Sequence, residues 1–126
     1  MKSAHDLVLA AKTRITEVDL PQAEAAIHDA DLLIDVREAD EYSAAHIPGA
    51  INIPRGLLEF KLSNDAQLAE RTLKLVLYCK NSGRSALATD VLQEMGYRNV
   101  LSLAGGIEAW QAAGRAVLTP TLPAFD

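Results

Sequence analysis

An apolar run that stops at a cysteine and resumes as a helix constrains this chain more than any other feature. Leu75-Val76-Leu77-Tyr78 reads as a short buried strand. Beyond Ser85, Ala88, Val91, Leu92 and Met95 recur at i, i+3, i+4 and i+7, which is one face of a helix. The six residues between hold the single cysteine, so Cys79 stands where a strand ends and a helix begins. The first N–H groups of a helix lack internal partners, and the helix dipole places partial positive charge there. Both stabilise a thiolate. Lys80 and Arg84 add two cations within five residues, and Ser82-Gly83 lets the backbone curl so that N–H groups converge. A lone cysteine is otherwise most often a small buried hydrophobe. Strand, glycine, cations and helix together point instead to a nucleophile in an anion cradle.

The same strand-to-helix alternation runs through the chain. Ala4, Leu7, Val8, Ala11 and Ile15 have helical spacing, which predicts an amphipathic extension over residues 1–14 that packs on the domain or offers a partner surface. The domain proper is expected over 15–115, with a C-terminal tail over 116–126 that carries Pro120 and Pro123 and is extended and partly mobile. Within the domain, Ile15–Val18 is a short strand. Asp19-Leu20-Pro21-Gln22 reads as a helix start with Asp19 as N-cap and Gln22 at the capping-box position. Leu32-Leu33-Ile34 is a strand that delivers Asp35 and Arg37 to its carboxyl end, where binding groups gather in open α/β sheets. Residues 38–45 read as a helix, Pro48-Gly49 as a turn, and Ile51-Asn52-Ile53 as a strand closed by Pro54. Residues 55–62 form a short helix, Ser63-Asn64-Asp65 breaks it, and 66–73 form another helical segment. Gly96 ends the helix after Cys79, Asn99–Leu103 is a strand, and Gly105-Gly106 opens a final helix that Gly114 closes. This predicts an α/β fold, a parallel sheet with helices on both faces.

Composition narrows the function classes. A chain of 126 residues that is 49% hydrophobic holds one domain with an ordinary core. One cysteine excludes an internal disulfide framework or a Cys-pair metal site, and His5, His28 and His46 show no ligand spacing. No metal or other cofactor is expected. A net charge of −5 argues against nucleic acid as a partner. No apolar run approaches membrane-spanning length, and the first residues lack the apolar core of a secretory signal. The expectation is a soluble, cytoplasmic protein with no membrane partner.

Three separated motifs resemble those of one family. Ile34-Asp35-Val36-Arg37 with Glu41-Tyr42 and His46-Ile47-Pro48-Gly49-Ala50 resembles the N-terminal signature of rhodanese-like sulfurtransferase domains. Cys79-Lys80-Asn81-Ser82-Gly83-Arg84-Ser85 resembles their active-site loop, and Gly105-Gly106 with Trp110 their C-terminal signature. The resemblance covers about residues 15–115 and departs at Ala45, where the family commonly has glycine. It implies a five-stranded parallel sheet and transfer of a sulfane sulfur through a cysteine persulfide, with thiosulfate as a typical donor and cyanide or a protein thiol as acceptor. Cys79 would then be the nucleophile. Lys80 and Arg84 would hold the anionic donor and the departing sulfite, and the backbone of Lys80, Asn81, Ser82, Gly83, Arg84 and Ser85 would cradle the persulfide. Asp35 and Arg37 read as a neighbouring pair that braces this loop. His46 reads as a turn-fixing group bonded to backbone, Trp110 as packing and Arg55 as a surface residue.

Two other functions meet the same residues. Cysteine–arginine phosphatases use a thiolate at a helix start, but with five residues between cysteine and arginine. Here four separate Cys79 from Arg84. The other is a partner-binding module or a sulfur relay to a partner protein; the relay shares the whole first half-reaction, and the N-terminal helix is the candidate docking feature.

Overall fold

The structure is a computed structural model that describes residues 1–120. Of the expected tail, Pro123 therefore lies outside the described residues. Five parallel strands form one sheet: β1 (Glu17–Val18), β2 (Leu32–Asp35), β3 (Ile51–Asn52), β4 (Lys74–Tyr78) and β5 (Asn99–Leu103). Their order is β1-β5-β4-β2-β3, which puts the strand before Cys79 at the centre. Among the described residues six helices surround it: α1 (Ala4–Lys12), α2 (Leu20–Asp29), α3 (Ala39–Ala44), α4 (Leu58–Asn64), α5 (Gly83–Glu94) and α6 (Gly106–Ala112). A single 3₁₀ turn, Arg55–Leu57, leads into α4. No helix among the described residues is long and apolar enough to cross a membrane.

β4 shows why its run is continuously apolar. Successive side chains of a strand point to opposite faces, and a central parallel strand is covered on both. Leu75 and Leu77 enter a core with Ile34, Val36, Leu62 of α4 and Leu92 of α5. Val76 and Tyr78 enter the other, with Leu33, Ala23 of α2 and Ile107 and Trp110 of α6. Helices thus cover both faces, as the alternation predicts.

The N-terminal helix is docked rather than free. A reciprocal capping box between Ser3 and Asp6 starts α1. Ala11 is fully buried, Arg14 forks onto Asp90 of α5 at 2.9 and 2.7 Å, and Lys12 Nζ donates to Ser82 Oγ at 2.9 Å. At the other end Leu118 pairs with His46, and Trp110 Nε1 donates to the Ala116 carbonyl, so residues 116–118 are pinned to the domain.

Three expectations are corrected. Residues 66–73 form turns rather than a helix. Leu68 and Ala69 N–H close one turn on the Asp65 carbonyl, and Arg71 then leaves the chain to bond the Met95 carbonyl and to lie over the Tyr97 ring. Tyr97 Oη donates to the Leu68 carbonyl, and these long-range bonds outweigh local helix propensity. The break after α4 comes at Asp65, two residues later than expected, since Ser63 and Asn64 remain helical. Asp19 does occupy the N-cap of α2, with Pro21 in the first turn, but its side chain makes no cap hydrogen bond and Gln22 completes no capping box.

Candidate active site

β4 delivers Cys79 at its carboxyl end, and the chain turns through Lys80-Asn81-Ser82 into α5. Cys79 is fully buried. Its Sγ accepts from the Ser85 N–H at 3.4 Å and donates to Ser85 Oγ at 3.5 Å, distances suited to sulfur. Ser85 Oγ donates in turn to the Ser82 carbonyl at 3.2 Å and accepts from Ser102 Oγ at 2.9 Å. The thiol therefore ends a buried hydroxyl chain that starts on β5. Ser102 was not legible as a site residue; its signal is being the one polar residue in Val100-Leu101-Ser102-Leu103.

The turn itself is held from three sides. Asn81 Oδ1 accepts from Ser82 N–H at 2.9 Å and caps the loop internally. From α1, Lys12 holds Ser82. From α6, the Ile107 and Glu108 N–H groups donate to the Cys79 and Lys80 carbonyls, each at 3.0 Å. That approach needs glycine. A Cβ on Gly106, whose φ is +58°, would sit 2.5 Å from the Cys79 oxygen and 2.6 Å from the Lys80 oxygen. Gly106 thus lets α6 clamp the backbone of Cys79 and Lys80. Among the described residues the N–H groups of Lys80, Asn81 and Arg84 carry no hydrogen bond, so part of the expected cradle is open.

The two expected cations differ. Lys80 is exposed beside a cavity of about 280 Å³ that Arg37, Glu41, Ala45, Glu108 and Gln111 also line. Arg84, expected to hold the donor, is already engaged: its Nη1 and Nη2 donate to Glu41 Oε1 and Oε2 at 2.7 and 3.0 Å. That fork holds the Glu41 carboxyl down at about 2, well below the ordinary carboxylate range. Glu41 lies 43 residues upstream, and nothing in the spacing announced the pair.

Asp35 and Arg37 pair with each other, both buried, at 2.8 Å. Arg37 also donates to the Ala45 carbonyl at 2.6 Å and lies over the Tyr78 ring. Among the described residues their hydrogen bonds do not reach 80–85, so the expected bracing acts on the β2 end and the segment after α3, not on the cysteine loop itself. Burial, and after it the Asp35 charge, pushes the Tyr78 phenol up, and its oxygen accepts from Ile47 N–H at 3.0 Å. His46 stacks on Tyr42 at 3.9 Å with Nδ1 at the Tyr42 carbonyl, as a turn-fixing group does. Trp110 is core. Ala45 has extended backbone, φ −168°, which any residue adopts, so the departure from glycine is accommodated. Arg55 is half-buried and pairs with Glu59 at 2.7 Å.

Comparison with known proteins gives a family, several relatives and a solved neighbour. The rhodanese-like domain family matches residues 19–113. A sulfurtransferase of Allochromatium vinosum is 31% identical over 108 residues, covering 84% of this chain and 97% of that one. An adenylyltransferase and sulfurtransferase of Ogataea parapolymorpha is 35% identical over 81 residues, which are 64% of this chain and 20% of that longer one. The chain likewise spans 17% to 62% of several other curated relatives. Among solved structures, a Rhodopseudomonas palustris protein of unknown function, described as a possible tyrosine phosphatase, superposes with a TM-score of 0.81 at 29% identity. That match covers 94% of this chain and 96% of the other.

Proposed function

Because the chain belongs to the rhodanese-like domain family, we propose that it moves a sulfane sulfur from a small donor to a thiophilic acceptor through a persulfide on Cys79. Membership points to sulfur transfer in general; donor, acceptor and covalent intermediate are our reading of this site. The observation that carries it is the Ser85 N–H on Cys79 Sγ at the start of α5, with the Ser102–Ser85 hydroxyl chain behind it. A thiolate formed there meets a backbone donor, a hydroxyl able to turn its proton toward sulfur, and the positive end of a twelve-residue helix.

In the first half-reaction the Cys79 thiolate bonds to the outer sulfur of a donor such as thiosulfate. The sulfur–sulfur bond breaks and its electron pair leaves with sulfite. In the second, cyanide or a protein thiolate takes that sulfur and returns the thiolate. Cys79 is fully buried, so a donor reaches its sulfur only when the groups covering it move aside.

The phosphatase description of one structural neighbour is the second reading. Four residues between Cys79 and Arg84 make a smaller ring than a phosphate needs, and Arg84 faces Glu41 rather than an open anion site. Both favour sulfur.

Intact-protein mass spectrometry tests the proposal. After thiosulfate or a mercapto-acid donor the protein gains one sulfur atom, and cyanide removes it with thiocyanate released in equal amount. Cys79→Ala gains nothing. Absence of an adduct from every donor, or turnover of an aryl phosphate instead, overturns it.

A further inference from the structure

We propose that Glu41 sets the donor class of this site: by occupying Arg84 it selects a neutral or singly charged sulfane-sulfur donor over a dianion such as thiosulfate. This rests on the Cys79 persulfide reading.

The charges around the loop are matched. Arg37 is spent on Asp35, Lys12 beside Ser82 faces Glu17 at 3.6 Å, and Arg84 is spent on Glu41 through both terminal guanidinium nitrogens and both carboxylate oxygens. Of the remaining charged groups lining the cavity, Lys80 and Glu108 oppose each other in sign. A thiosulfate dianion approaching Cys79 therefore meets no surplus of positive charge, and a thiolate plus a dianion repel each other.

Glu41 is fixed in that position. It stands in the first turn of α3, where Oε1 also accepts the Glu38 N–H at 3.1 Å as half of a capping box. The Arg37 charge also favours its carboxylate form. Arg84 for its part immediately precedes Ser85, whose N–H meets Cys79 Sγ at 3.4 Å. An unpaired Arg84 would be the natural holder of a second negative charge on the donor, and the carboxylate from α3 withholds it. Glu41 thus acts through Arg84, as a positioning residue that determines specificity.

Two donors isolate the charge. Thiosulfate and methanethiosulfonate carry the same transferable sulfur, but a methyl group in the second replaces one oxyanion. Attack by the Cys79 thiolate expels sulfite from the first and methanesulfinate from the second, leaving the same persulfide, which cyanide discharges as thiocyanate. The experiment measures kcat/KM for both donors on the full chain, as wild type, Glu41→Gln, Arg84→Met and the double variant. Glutamine retains an oxygen for the Glu38 N–H, so the cap of α3 persists. Releasing one cation beside the donor should raise the thiosulfate-to-methanethiosulfonate ratio roughly tenfold in Glu41→Gln, chiefly through a lower KM for thiosulfate. The same change should vanish when Arg84 is methionine, and high salt should shrink it. An unchanged ratio, or equal loss with both donors, would mean that Glu41 merely holds Arg84 or α3 in place and would overturn the proposal. A mass adduct from methanethiosulfonate on the wild type is read first. With the adduct and an unchanged ratio only the donor assignment falls; without any adduct the persulfide reading falls and takes this inference with it.

Discussion

Ser102 touches no donor, yet it fixes how Ser85 faces the thiol. Because Ser102 Oγ donates to Ser85 Oγ, the Ser85 proton is turned to the Ser82 carbonyl until the sulfur becomes an anion. Ser85→Ala removes the hydroxyl at sulfur itself, and Ser102→Ala only frees its rotor. We expect Ser85→Ala to lower the rate of persulfide formation about ten- to a hundredfold, by analogy with losing one preorganised donor, and Ser102→Ala only a few-fold. Each should cost about 1 kcal/mol of stability, the net worth of one hydrogen bond. Stopped-flow loading and thermal unfolding on the two variants check the ranking. A larger rate loss for Ser102→Ala would mean that the chain of hydroxyls works in some other way.

Between elements, the junction that matters is the one between α6 and the turn after β4. Two N–H groups of α6 grip the carbonyls of Cys79 and Lys80, and Gly106 allows that approach. Gly106→Ala places a Cβ against two backbone oxygens at a left-handed φ, so something must move. We expect it to cost about 2–4 kcal/mol and to slow sulfur loading, because what moves is the turn that carries Cys79. Gly49→Ala is the control: φ is +86° but nothing lies within 4 Å, so only the backbone cost of about 1 kcal/mol applies. Urea denaturation should separate the two clearly. Equal midpoints would show that the contact at Gly106 relaxes freely. α1 belongs to the same scale, since Lys12 carries its packing on α5 through to Ser82.

For the whole molecule, the Glu41–Arg84 bridge joins α3 to α5 and makes stability depend on acid. The folded-state Glu41 carboxyl sits near 2, against an ordinary value of 4.5, so the folded protein binds this proton less readily than the unfolded chain. Its contribution is complete above about pH 4.5 and is lost as pH falls toward 2. Solvent screening of a partly exposed pair reduces it to on the order of 1 kcal/mol. Unfolding followed from pH 6 down to 2 should show a shallower decline in Glu41→Gln than in wild type. Identical slopes would remove the bridge as a stabilising link.

By itself the sequence determined whatever depends on local period and local chemistry. The unbroken run of β4, the helical spacing of α1 and α5, the Pro21 start of α2 and the glycine stops at Gly96 and Gly114 are decided within a few residues, so element order and the parallel α/β class were legible. So was the place of Cys79 between a strand end and a helix start, because β4, Gly83 and α5 are contiguous with it. Tertiary structure decided what joins distant parts of the chain. The segment 66–73 gave up its helical propensity to Arg71 and Tyr97 bonds reaching Met95 and Leu68. Arg37, held by Asp35, ties down the Ala45 carbonyl eight residues on, across α3. Ser102, Gly106 and Glu41 reach the cysteine loop from β5, α6 and α3, and a sequence carries no record of such contacts. Their energies come from close approach and desolvation, which exist only once the chain has brought those elements together.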